Sequence, residues 1–206
     1  ISNTLFFDKC LGWHGICFEP QAQYHARIRE QRGCSLVPSC AVGNGQAKHM
    51  RAAHSGGTYT LAKAEASDAS ATSCVDVNEA VTALLPNTTA IDLVNIDIEG
   101  MEPEVLRCFP LERLGVRAVL IETSFARDLR EVDLFFHRRG FANAETFLNS
   151  VVTSGGASSE TFWLDNLYVR RSRDVVYPPW LAPSKGARPA PQQQQQQHCS
   201  KEQAKH

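Results

Sequence analysis

No run of apolar residues approaches the roughly 18 that a membrane-crossing helix needs, so no transmembrane segment is read from this chain. No C-x-x-C pair occurs among its seven cysteines, which removes the commonest spacing of a structural zinc site. G-x-S-x-G, the phosphate-binding P-loop and H-E-x-x-H are all missing, so hydrolase, nucleoside triphosphatase and metalloprotease readings have no support. G-x-G-x-x-G is missing too, which leaves a dinucleotide-dependent oxidoreductase without its phosphate turn. The histidines show no metal-ligand spacing; His49 and His54 lie in a Gly/Ala/Ser/Thr-rich stretch and read as surface or pocket residues. Finally, an excess of either charge is lacking: 21 Lys and Arg face 22 Asp and Glu, a formal net charge of −1. That balance predicts no strong attraction to nucleic acid or to an anionic membrane.

What is present suffices for a folded domain. The chain has 206 residues and is 43% hydrophobic, enough for one domain with a real core. An odd cysteine count fits a reducing compartment better than a disulfide framework, and Cys17 and Cys108, in apolar surroundings, read as small core residues. Asn87-Thr88-Thr89 is a glycosylation sequon of a kind that also arises by chance.

The chain is organised around residues 91–123. Ile91, Leu93, Val94, Ile96 and Ile98 are apolar on both faces, the mark of a strand covered on both sides by helices. Asp97, Glu99 and Gly100 stop the run. A helix over Glu102–Phe109 follows, with Pro103 in its first turn, and Val116–Ile121 is a second all-apolar strand closed by Glu122. The result is a strand–helix–strand unit, and in such sheets ligands sit beyond the carboxyl ends of the strands.

Upstream, the pattern predicts a helix to Leu11 with Leu5, Phe6 and Leu11 turned inward, a strand Gly15–Phe18, a helix Gln21–Arg32, and a strand over Ser35–Val42 interrupted at Pro38. A hairpin over Gln46–Ala52 and Thr58–Leu61, a strand Ser73–Val77 and a helix capped by Asn78 come next. Downstream, a helix Asp128–Arg139 precedes two strands, Phe141–Ser150 and Thr161–Val169, whose short connection makes them antiparallel neighbours at an edge. This alternation argues for a doubly wound α/β fold. A sheet entered through a helix lacks a first strand, and the expectation is a domain truncated at its N-terminus. Residues 1–177 are expected to form the domain; 178–206, rich in proline with six successive glutamines, cannot build a core and read as a disordered tail.

Two acidic features carry chemistry. Glu19 ends the strand GICFE, where a carboxylate can accept hydrogen bonds from both hydroxyls of a ribose; alternatively it only caps the helix after Pro20. Asp97, Glu99 and Glu102 form a D-x-E-G-x-E cluster at a strand end. Helix capping accounts for one such carboxylate at about 0.3–1 kcal/mol, but poorly for a cluster. Glu122 either shares that crevice or is a solvated strand end.

The segments LGWHGICFEP, CAVGN, IDLVNIDIEGMEPEVLRCF, VRAVLIE and LDNLYVRR together resemble FkbM-type methyltransferases, over roughly residues 2–170. The resemblance implies a Rossmann-like, mostly parallel sheet with an antiparallel hairpin at its edge, S-adenosylmethionine as cofactor, and methyl transfer to a hydroxyl oxygen of a small-molecule or glycan-like substrate. Carried over by position, Glu19 would hold the ribose, and Ser39, Cys40, Ala41 and Val42 would approach the adenine. Asp97 would lie near the methionine end, with Glu99 and Glu102 fixing the loop that faces the acceptor. The family's glycine-rich loop has no counterpart here. A non-catalytic, methyltransferase-like interaction module, in membrane trafficking for example, is the alternative.

Overall fold

The computed structural model describes residues 3–43, 49–55, 58–63, 65, 67–68, 71–98, 100–123, 126–153 and 160–171. The predicted tail, residues 178–206, lies outside them. The chain is mixed α/β and divides into two compact units, Ile1–Pro86 and Asn87–His206.

In the first unit, α1 (Leu5–Leu11) ends at Gly12, whose φ of 66° places it in the left-handed region that glycine tolerates best. Leu5, Phe6 and Leu11 are 42%, 60% and 53% exposed, not turned inward as expected. Burial of so short a helix was inferred from its apolar content; what holds it is polar, Asp8 accepting from Arg32 Nε at 2.7 Å and from the Gly33 amide at 3.0 Å. Next come β1 (Ile16–Phe18), α2 (Ala22–Gln31) and β2 (Ser35–Val37), and β1 and β2 pair in parallel.

The expected single strand over 35–42 is two. Pro38 removes a ladder donor, the Ser39 amide turns back to the Val37 carbonyl at 2.9 Å, and β3 (Cys40–Val42) enters a different sheet. That sheet has the order β3-β6-β4-β5, where β4 is His49–Ser55, β5 Thr58–Lys63 and β6 Thr72–Asp76. β3 and β6 are parallel; β4 is antiparallel to both β5 and β6, which makes the expected hairpin. α3 (Val77–Leu84) follows β6 directly, and its cap is Asp76 rather than Asn78: Asp76 Oδ1 accepts from the Glu79 amide at 2.9 Å.

Two disulfides staple this unit, Cys17–Cys34 and Cys40–Cys74, with Cα–Cα distances of 5.8 and 4.4 Å. Each joins neighbouring parallel strands or their ends, so Cys17 is a cross-link and not a core filler. Only register shows this: Cys40 and Cys74 are directly paired across β3 and β6. Their closed loops span 17 and 34 residues, for which chain entropy supplies about 3 and about 4 kcal/mol respectively.

In the second unit, β7 (Ile91–Ile96), α4 (Glu102–Cys108) and β8 (Val116–Thr123) form the expected strand–helix–strand, with β7 and β8 parallel neighbours. α5 (Ala126–Arg138) leads to β9 (Phe141–Thr153) and β10 (Glu160–Arg170). The order is β7-β8-β10-β9, so the expected antiparallel hairpin sits at the edge, with β10 inside against β8. The core lies where α4, α5 and the chain before β8 bury Leu106, Leu111, Leu114, Val116, Val119, Ile121, Val132 and Phe136. Phe136 stacks on Tyr168 at 4.2 Å and meets Phe141 edge-on at 5.4 Å. Burying one such ring contributes about 1.5–3 kcal/mol. Gly115, at φ 52°, lets the Thr89 carbonyl pass where a Cβ would stand 2.3 Å from it.

β7 is less buried than its composition suggests. Asp92 and Asn95 are exposed, and Asp92 meets Arg117 of β8 at 2.6 Å, a surface pair of the kind worth 0–1 kcal/mol.

Candidate functional site

Strand register assembles the acidic site of the second unit. Ile96 pairs with Ile121, so the next residue, Asp97, comes level with Glu122. Glu122 in turn pairs with Asp165 across the β8–β10 ladder. Directly paired residues of neighbouring strands project from the same face. Three carboxylates, one just after β7 and one each on β8 and β10, thus stand in one row at the carboxyl end of the parallel pair. Asp97 and Glu122 share a hydrogen bond, and Asp165 acts on Asp97 through its charge.

Burial and neighbouring charge both act on Asp97. Asp97 is exposed as a residue, yet protein surrounds much of its carboxyl group. That desolvation, and after it the Asp165 carboxylate, raises its pKa above the ordinary value, while the Glu122 hydrogen bond acts in the other direction. Asp165 is 9% exposed. Beside it on β10, Asn166 is fully buried; its amide donates to Thr123 Oγ1 and accepts from Thr146 Oγ1, each at 2.8 Å, which locks β8, β10 and β9 in register beneath the row.

Glu102 does what a loop-fixing residue should. It opens α4, is only 5% exposed, and its Oε1 accepts from the Ile98 amide at 2.9 Å and the Gly100 amide at 3.3 Å. Gly100 has φ 96°, a conformation other residues rarely take. One buried carboxylate therefore closes the loop between Asp97 and α4. Burial pushes Glu102 up to about 6; the amide hydrogen bonds oppose this, and the Asp97 charge adds to it. Glu99 lies outside the described residues.

In the first unit, Glu19 follows β1 and is half-buried. Its Oε1 accepts from the Gln21 amide at 2.8 Å, so it caps the entry to α2, and its carbonyl meets His25 Nε2 at 2.8 Å. Of the 39–42 segment, Ser39 donates to the Ser73 carbonyl at 2.6 Å and Cys40 is disulfide-bonded. Ala41 and Val42 are buried, and Val42 ends β3. Val42 pairs with Asp76 at the carboxyl end of β6. Asp76 Oδ2 is buried and has no hydrogen-bond partner among the described residues. His49 and His54 are both placed on β4.

Sequence reasoning missed Asp165 and Asp76. Asp165 carried a signal, a carboxylate interrupting the otherwise apolar run Trp163–Leu164 and Leu167–Tyr168. Asp76 was hidden because Asn78 looked like the better cap. Among the described residues no three His, Cys, Asp or Glu side chains are disposed to hold a metal ion, and no helix is long and apolar enough to cross a membrane.

Residues 1–142 match the family model of the methyltransferase FkbM domain, more than half of the 206. No curated protein and no solved structure matches the chain.

Proposed function

The chain belongs to the FkbM methyltransferase family, and from that premise we propose that it is an S-adenosylmethionine-dependent methyltransferase acting on a hydroxyl oxygen of a small-molecule or glycan-like acceptor. The frame is the doubly wound, Rossmann-like one that the resemblance implies. The observation that carries the reading is the row Asp97–Glu122–Asp165. Burial first, and then the Asp165 charge, disfavour the ionised form of Asp97. A cation relieves that repulsion, and a sulfonium or an α-ammonium group is such a cation.

Each unit, taken by itself, carries side chains of a kind this cofactor would use. In the second unit the carboxylate row suits a cationic group. In the first unit Asp76 Oδ2 is buried and lacks a donor among the described residues, and the Glu19 carboxylate spends Oε1 on Gln21 and keeps capacity for a ribose hydroxyl. Ala41 and Val42 supply apolar surface for the adenine. Ser39 and Cys40 are committed to Ser73 and Cys74, and their part is to hold β3 against β6.

When bound, S-adenosylmethionine supplies a methyl group attached to a positively charged sulfur, an electrophile that needs no further activation. The protein then aligns the acceptor, the larger share of such catalysis. It also takes the hydroxyl proton as the oxygen–carbon bond forms. Asp97 is the base: a carboxylate with a raised pKa accepts a proton more readily at neutral pH. Glu102 holds, through the Ile98 and Gly100 amides, the loop that on this reading faces the acceptor.

Calorimetric titration of S-adenosylmethionine into the chain tests this. Saturable binding is expected, with Asp97→Asn weakening it at least tenfold while the far-ultraviolet circular dichroism stays unchanged. Equal affinity in Asp97→Asn removes the carboxylate row from the site. No binding by the folded wild type points instead to the non-catalytic interaction module.

A further inference from the structure

We propose that Asn87 is an N-glycan acceptor and that the chain folds in an oxidising compartment where that modification is made. Two independent observations converge. The first is the paired cysteines. Cys17–Cys34 and Cys40–Cys74 are disulfides, and Cys10 is the free thiol among the described residues. Structural disulfides form and persist in oxidising compartments and are rare where thiols are kept reduced. The second is Asn87-Thr88-Thr89, the single N-x-[ST] triplet in 206 residues. By itself such a triplet is common; in a disulfide-stapled chain it stands where the modifying enzyme works.

The local structure suits the modification. Asn87 lies in the turn that follows α3, and Pro86, Asn87, Thr89 and Ala90 are all exposed. The Asn87 side chain makes no hydrogen bond among the described residues, so its amide nitrogen is not spent on the fold. The Thr89 backbone is anchored, with its carbonyl seated over Gly115 where no Cβ intervenes. A bulky, hydrated glycan at Asn87 therefore costs the folded unit no buried contact. The chemistry balances with one co-reactant class, a lipid-pyrophosphate-linked oligosaccharide. The Asn87 amide nitrogen attacks the anomeric carbon, an N–C bond forms, the anomeric C–O bond breaks, and the lipid pyrophosphate leaves as the nitrogen gives up a proton.

The test routes the full chain through the secretory pathway of a eukaryotic host and maps disulfides and glycopeptides in one sample. The expected result is a sugar-bearing Asn87 peptide that an amide-cleaving glycosidase converts to aspartate, together with both disulfides. Asn87→Gln and Thr89→Ala should each lose the glycan-bearing band completely, and Thr89→Ser should restore it. An Asn87 peptide recovered without sugar, whether from secreted or retained chain, overturns the proposal. So does a natively folded wild type whose Cys17, Cys34, Cys40 and Cys74 all react as free thiols.

Discussion

Replacing Glu102 by glutamine should make this protein more stable at neutral pH and remove part of its pH dependence. In the fold Glu102 titrates at about 6, against 4.5 for an ordinary glutamate, chiefly because it is buried. Below pH 4.5 it is protonated in both folded and unfolded chains, and its contribution is fully present. As pH rises through 6 the unfolded chain releases its proton first, so stability falls. The gap between 4.5 and 6, at about 1.4 kcal/mol per decade, makes the loss about 2 kcal/mol. Glutamine keeps an oxygen for the Ile98 and Gly100 amides and has no proton to lose. Its advantage over wild type should therefore grow from near zero at pH 4 to about 2 kcal/mol at pH 7.5. Glu102→Ala leaves both amides without their acceptor and should cost about 1–3 kcal/mol across the whole range. Urea denaturation at a series of pH values measures these differences, and amide exchange at Ile98 and Gly100 localises them to the loop. An advantage for Glu102→Gln that does not vary between pH 4 and 7.5 would refute the burial argument.

Three further outcomes follow from the geometry. Asp165→Asn removes the charge that opposes ionisation of Asp97, so the Asp97 carboxyl should titrate lower in carbon-detected NMR, and the acidic limb of any pH–rate profile should move to lower pH with it. Gly115→Ala places a Cβ 2.3 Å from the Thr89 carbonyl at a φ of 52°; a loss of about 2 kcal/mol or more is expected, and a neutral variant would show that the β7 entry is not packed there. Cys17→Ser with Cys34→Ser opens a 17-residue loop and should lower the urea stability of the first unit by about 3 kcal/mol, with no such loss on adding reductant to the double variant beyond that of the second disulfide.

The elements themselves were legible because each announces itself locally. The apolar run before Asp97, Pro103 in the first turn of α4, and Gly140 after α5 are all signals within a few residues of the structure they specify. Where reading failed, a distant partner decided the matter. Leu5, Phe6 and Leu11 look like a buried face, but helical spacing alone does not say whether a neighbouring surface exists, and in this structure they are exposed. Cys17 looked like a small apolar residue because its partner Cys34 lies across a helix in sequence and beside it only in the parallel ladder. Pro38 was visible as an interruption, but that it sends its two flanking strands into separate sheets is a property of the pairing.

The same distinction governs the site. D-x-E-G-x-E, read along the chain, is a run of acids whose members alternate in direction, and it suggests that Asp97 and Glu99 divide the work. Read across the sheet, the partners of Asp97 are Glu122 and Asp165, residues on other strands that the pairing Ile96–Ile121 and Glu122–Asp165 brings level with it. Glu102 meanwhile turns back to close the loop. The motif is thus one carboxylate for the row and one for the loop, held apart by Gly100 at a φ of 96°. A substitution at Gly100 should on this account disturb Asp97 and Glu102 together, because any side chain there strains the turn that lets one segment serve both.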